Sequence, residues 1–177
     1  MTIFTIGHSS RTIEAFIALL RGAGIECLAD IRAFPASRFA PQFNKEALAE
    51  SLKEAEIGYV HMPALGGRRP KSKSPSPNGF WRVAGFRNYA DYALTDAFRA
   101  GFDRLTELAR ERTVAIMCAE ADWHKCHRRI VTDYLIAAGF DVRHILDKGI
   151  EPAHLTEGAR PQPEGHILYP APQEQLL

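Results

Sequence analysis

Short runs of aliphatic and β-branched residues alternate along the chain with stretches whose apolar residues recur every three or four positions. Ile3 to Ile6 is the first run. It is followed by Ile13, Phe16, Ile17 and Leu20, which form one face of a helix expected from about Thr12 to Ala23 and stopped by Gly22 and Gly24. Glu26 to Arg32 is the second run, and beyond Phe34-Pro-Ala-Ser-Arg38 a helix capped by Asn44 carries Leu48 and Leu52 as far as Gly58. Tyr59 to Met62 is the third. From about Asn88 to Arg112 the spacing of Leu94, Phe98, Phe102, Leu105 and Ala109 predicts one long helix with a buried stripe, so these aromatics are core. Thr113 to Met117 is the fourth run. Ile130, Tyr134 and Leu135 then mark a helix ending at Gly139, and Phe140 to Ile145 is the fifth run.

Strand and helix alternating in this way predict a single α/β domain. Its mostly parallel sheet has about five strands, helices on both faces and right-handed crossovers. The strand order stays open. Residues 1–150 form this core, with a mobile loop at 66–79 that is rich in Gly, Pro and Ser and holds four basic residues without an acid. Residues 151–177 are a proline-rich extension packed on the core, and Gly165 to Tyr169 can add an edge strand ended by Pro170. At 177 residues the chain is long enough for one well-packed domain and short for two.

Composition narrows the class rather than the function. Lys and Arg number 22 against 21 Asp and Glu, a net charge of +1, so any preference for an acidic partner must come from local clusters. The amino terminus lacks a basic segment, a long apolar stretch and a small-residue cleavage site, and no apolar run approaches the roughly 18 residues of a membrane span; a cytoplasmic protein is expected. Three cysteines cannot all pair, so Cys27, Cys118 and Cys126 are expected as reduced thiols.

In an open parallel sheet, ligands bind beyond the carboxyl ends of the strands. Here those ends carry His8 and Ser9, Asp30 and Arg32, His61, and Cys118 with Glu120. The fourth end opens the densest stretch, Cys118 to Arg129, which gathers carboxylate, thiol, imidazole and guanidinium groups within twelve residues. Each such group is costly to bury alone, which points to arranged chemistry rather than packing. Asp30 and Arg32 leave their strand on one face, as do Cys118 and Glu120. Arg32 offers a fork for an anion, although an Asp-x-Arg pair also serves as a purely structural ion pair. If a helix begins near Asp122 to His124, Cys126, His127 and Arg128 occupy its first turns, where the dipole favours a thiolate or a bound phosphate. Cys126 can equally pack as a small hydrophobe.

Other chemistries fit less well. His8, Cys118, Cys126 and His127 offer zinc ligands, but seven residues separate the two cysteines where structural zinc sites use two to four, so no metal or other cofactor is predicted, with zinc the minority alternative. A cysteine-phosphatase loop needs Arg where this chain has His124. No dinucleotide or Walker signature is present. Arg68, Arg69, Lys71 and Lys73, followed by Trp81, can grip a phosphate backbone and stack on bases, but a solvated loop explains them too.

Thr5-Ile-Gly-His-Ser9, Asp30-Ile-Arg32 with Pro35 and Ser37, Tyr59 to Pro63 with Leu65-Gly-Gly67, Cys118-Ala-Glu120 with Cys126-His-Arg128, and Val142 with His144-Ile145 together resemble the family called domain of unknown function 488. The resemblance implies a compact cytosolic α/β domain of bacterial type whose hallmarks are the Cys-x-Glu and Cys-His-Arg elements. It implies no reaction. From the side chains, the expectation is an enzyme, hydrolase or transferase, acting on a small anionic or nucleotide-like substrate. Cys118, Glu120, His127 and Asp30 are its catalytic candidates, and Arg32, Arg128, His8, Ser9, Cys126 and His61 bind or orient the anion. A nucleic-acid-binding module built on the basic loop, and a thiol redox, sulfur-transfer or zinc protein, are the alternatives.

Overall fold

The computed structural model describes residues 1–173. Five parallel strands, β1 (Thr2–Gly7), β2 (Cys27–Asp30), β3 (Gly58–His61), β4 (Val114–Cys118) and β5 (Asp141–Leu146), form a single α/β domain with a sixth, β6 (Gly149–Pro152), in the order β3-β2-β4-β1-β5-β6. The chain steps toward β3 through helices α1 (Ile13–Gly22) and α2 (Lys45–Glu54). It then returns past β2 and β1 through α3 (Ala84–Tyr92), α4 (Asp96–Glu111) and α5 (Arg128–Ala137). Right-handed crossovers made in opposite directions must put the two helix sets on opposite faces. They do: Phe16, Leu20, Leu48 and Leu52 pack with Ile6, Leu28 and Met117, whereas Phe98, Phe102, Leu105, Ile130 and Leu135 pack with Ile3, Ala29 and Ile116. The connection leaving β1 passes to one face and that leaving the neighbouring β4 to the other, which opens a crevice above their carboxyl ends.

Several local expectations change. The long helix predicted from Asn88 to Arg112 is two helices, because Thr95 turns extended and its hydroxyl accepts the Phe98 N–H as a cap for α4. The apolar stripe runs on because both helices face one core. Asn44 does precede α2, yet its side chain accepts the Ser37 N–H at 2.7 Å and pins the preceding loop instead of the helix. The antiparallel edge strand is Gly149–Pro152, exposed throughout and therefore without the alternation that would reveal it. Ile167–Leu168, within the segment expected to supply an edge strand, pairs with Arg160–Pro161 in a separate ribbon. That tail is stitched to α5: Tyr169 donates its hydroxyl to Asp133 at 2.8 Å, and the Thr156 N–H reaches the same carboxylate at 2.8 Å.

Candidate active site above the β1 and β4 strand ends

Strand parity decides which side chains meet. Val114, Ile116 and Cys118 project toward α5, as does Thr5, whose register neighbour on β5 is His144. Opposite them on α5 lies Arg128, fully buried. Its guanidinium donates to the Thr5 hydroxyl at 3.1 Å and to the carbonyls of Glu120 at 3.0 Å and Ala121 at 3.4 Å, while Nε has no partner. Among the described residues no carboxylate pairs with it. A buried cation without a counter-ion is expensive, so the surrounding oxygens and a nearby anion must offset it. The Thr5 hydroxyl that accepts from Arg128 also lies 2.6 Å from His144 Nδ1. Burial, and then the Arg128 charge, lower His144 to about 4, so this imidazole is neutral at physiological pH.

Cys118 is the last residue of β4 and pairs with Gly7. A side chain on Gly7 would collide with the Glu120 carbonyl, so this glycine lets residues 119–121 fold over the end of β1. The same carbonyl lies 3.6 Å from the Cys118 sulfur. Glu120 therefore meets Cys118 through its backbone; β4 ends before it, so the same-face pairing expected of the two side chains does not form. Burial works to raise the Cys118 thiol, but a hydrogen bond from Cys126, the Arg128 charge and the Glu120 contact outweigh it and leave the group below its ordinary value. Burial and the Cys118 sulfur push Cys126 well up. Of the two cavity thiols, Cys118 is therefore the one that gives up its proton more readily.

Cys126 comes before α5 rather than in its first turn, because a 3-10 turn at Trp123–Lys125 intervenes. Its sulfur accepts the Arg128 N–H at 3.4 Å and lies 3.5 Å from His127 Nδ1. His127 Nε2 sits 2.9 Å from the Ile31 carbonyl, which fixes the proton there and turns Nδ1, as an acceptor, toward Cys126. Burial lowers His127 to about 4. Gly67 packs flat on this ring, where a Cβ would come within 2.9 Å of Nδ1.

From the opposite face of the sheet, Asp30 holds Arg32 by a two-pronged pair, 2.9 and 2.7 Å. Tyr59 donates to the same carboxylate at 2.6 Å, and the Phe43 carbonyl takes another Arg32 proton at 2.7 Å. The fork expected to clamp a ligand is therefore spent. Only NH1 remains, 3.3 Å from His8 Nε2. His8 stacks on Phe43 with ring centres 4.4 Å apart and donates Nδ1 to the Ser9 carbonyl at 2.8 Å; burial lowers its pKa. His61 faces the Arg32 carbonyl at 2.8 Å.

A cavity of about 370 Å³ opens over these groups. Arg32, Cys118, Glu120, Cys126 and His127 line it, joined by Phe34, Phe86, Tyr89, Arg68 and Lys125, which sequence reasoning did not place in this site. His8, Ser9, Asp30, His61 and Arg128 do not line it. Arg128 in particular touches protein oxygens only and reaches the site through its field.

The chain matches the family described as Domain of unknown function DUF488 over residues 12–135. It belongs to the DUF488 family. No curated protein matches the chain. Of the elements that carried the resemblance, the Cys-x-Glu and Cys-His-Arg segments of this DUF488 domain contribute to one cavity, and Arg32, held by Asp30, joins them in its lining.

Two alternatives change with the geometry. Among the described residues no group of three His, Cys, Asp or Glu side chains is placed to hold a metal ion, so His8, Cys118, Cys126 and His127 do not gather around one point. Trp81 cannot stack on a base, because it is 5% exposed, enclosed by Phe80, Phe86 and Tyr169, with Arg129 over its ring. Lys71 and Lys73 are exposed. Arg69 is turned inward to the Pro63 carbonyl and the Tyr92 ring. Among the described residues no helix is long and apolar enough to cross a membrane.

Proposed function

We propose that this protein is a cytoplasmic bacterial-type enzyme whose Cys118 thiolate attacks a small anionic or nucleotide-like substrate. The observation that carries this reading is a lowered thiol lining an open cavity, with a buried arginine that has no carboxylate behind it. Arg68, Lys125 and the remaining NH1 of Arg32 meet the anion at the rim, while Phe34, Phe86 and Tyr89 offer an aromatic wall to an apolar or planar body. Glu120, exposed at the mouth, exchanges protons with the leaving group or water, and the neutral His127 Nδ1 accepts a hydrogen bond from the Cys126 thiol. Asp30, Tyr59, His8 and His61 are positioning residues that hold Arg32, and Ser9 fixes the His8 ring through its carbonyl.

Protection of Cys118 tests the reading without a known substrate. Iodoacetamide alkylation at pH 7, mapped by peptide mass spectrometry, is expected to slow with millimolar nucleoside monophosphate or inorganic phosphate and not with a neutral nucleoside. Alkylation indifferent to every anion would remove anion binding from this site.

A further inference from the structure

Nucleophilic attack alone does not account for the second thiol. Two cysteines line the same cavity and both lie beside Arg128: the Cys118 sulfur is 3.6 Å from the Glu120 carbonyl that the guanidinium reaches, and the Cys126 sulfur accepts the Arg128 N–H at 3.4 Å. Cys126 is also provided with both things an attacking thiol needs. The neutral His127 Nδ1, 3.5 Å away, can accept a hydrogen bond from the thiol and orient its sulfur, and the Arg128 N–H, 3.4 Å away, can steady the thiolate formed. The third cysteine is excluded. Cys27 opens β2, at the end of the sheet remote from the strand termini that form the cavity, and is 1% exposed.

We propose that Cys126 is the resolving thiol of a Cys118/Cys126 dithiol and that the site reduces small carboxylate-bearing disulfides. This rests on Cys118 being the nucleophile and names the class of anion it attacks. In the first step the Cys118 thiolate bonds to one sulfur of the disulfide, whose S–S bond breaks and releases one thiolate. In the second, Cys126 attacks the Cys118 sulfur and displaces the second thiolate, which takes up the Cys126 proton. The two protein sulfurs close to the roughly 2 Å of a disulfide. The protein loses two electrons and the substrate gains them as two thiols; a low-molecular-weight thiol in excess reverses the protein's oxidation and completes the cycle. Carboxylates on the substrate meet Arg68, Lys125 and Arg32 at the rim.

Oxidised glutathione, 2-hydroxyethyl disulfide and cystamine serve as anionic, neutral and cationic probes. With oxidised glutathione the wild-type chain is expected to fall from three titratable thiols to one after denaturation, with no lasting adduct and a Cys118–Cys126 cross-linked peptide. Cys126→Ser and Cys126→Ala should instead keep one glutathione on Cys118. The rate should exceed that with cystamine by about tenfold or more at low salt. A wild-type chain that accumulates the Cys118 adduct while Cys126 stays free would overturn the resolving role and leave the nucleophile standing; this outcome needs no variant to fold. Equal rates for the three probes would overturn the substrate class. A Cys118 inert to disulfides but alkylated as a thiolate would overturn the inference alone, whereas inertness to both reagents would remove the nucleophile as well.

Discussion

Replacing Arg128 by Met removes a charge while keeping much of the side chain's length, and its effect on Cys118 can be worked from distances. The guanidinium and the Cys118 sulfur touch one carbonyl oxygen, that of Glu120, at 3.0 and 3.6 Å, so they lie no more than about 6.6 Å apart. At an effective dielectric constant of about 20, opposite charges at that separation attract by roughly 2.5 kcal/mol. At about 1.4 kcal/mol per pKa unit this is nearly two units, so Arg128→Met should raise the Cys118 midpoint by about two. Thiolate at neutral pH then falls by up to about a hundredfold. The variant also leaves the Glu120 and Ala121 carbonyls and the Thr5 hydroxyl short of a donor, about 1–3 kcal/mol for a buried group left unpaired, offset in part because no cation need be desolvated. Arg128→Lys keeps the charge and loses the fork, so its midpoint should move less. The assay is the rate of iodoacetamide alkylation at Cys118 against pH, with the melting temperature of each variant measured alongside. A folded Arg128→Met chain whose Cys118 midpoint does not move would refute the electrostatic account of this thiol.

Three further outcomes are expected. His127 and His144 are both lowered to about 4 in the folded chain, so between that value and the ordinary 6.5 the unfolded chain binds more protons. Their stability contribution is therefore complete above pH 6.5 and is lost as pH falls toward 4; denaturant titrations should show the fall, and His144→Gln should make it shallower by up to about 3 kcal/mol. Gly7→Ala drives a methyl into the Glu120 carbonyl and should cost about 1–3 kcal/mol in urea unfolding while slowing Cys118 alkylation; unchanged values for both would contradict the role given to this glycine. Asp30→Ala leaves Arg32 buried without its acid, a loss of about 3–5 kcal/mol, and should abolish protection of Cys118 by phosphate; a stable chain that is still protected would show that Arg32 does not depend on the pair.

The alternation of strand and helix was plain in the sequence because the inner strands β2 and β4 are buried on both faces and read as apolar runs between amphipathic helices. The strand-end rule then pointed to Cys118 and Arg32, which share the cavity, since position in such a sheet follows from topology. What it missed depends on atoms the pattern does not carry. Thr5 and His144 look like ordinary strand residues; only the β1–β5 register sets them side by side, and only α5 supplies the arginine that makes them matter. Glu120 contributes a carbonyl where spacing suggested a carboxylate, because the strand stops two residues before it. Arg32 looked like a free clamp until Asp30, Tyr59 and the Phe43 carbonyl were seen around it. A solvated loop and a base-stacking Trp81 both fitted the 68–82 stretch, yet tail residue Tyr169 and helical Phe86 close over the Trp81 ring from distant parts of the chain.

The pH profile of wild-type alkylation, resolved for Cys118 and Cys126 separately by peptide mapping, bears most directly on the site as a whole. Cys118 should titrate below the ordinary thiol value of about 8.5 and Cys126 well above it. A Cys118 midpoint at or above 8.5, or a Cys126 midpoint beneath that of Cys118, would contradict an anionic Cys118 held over Arg128.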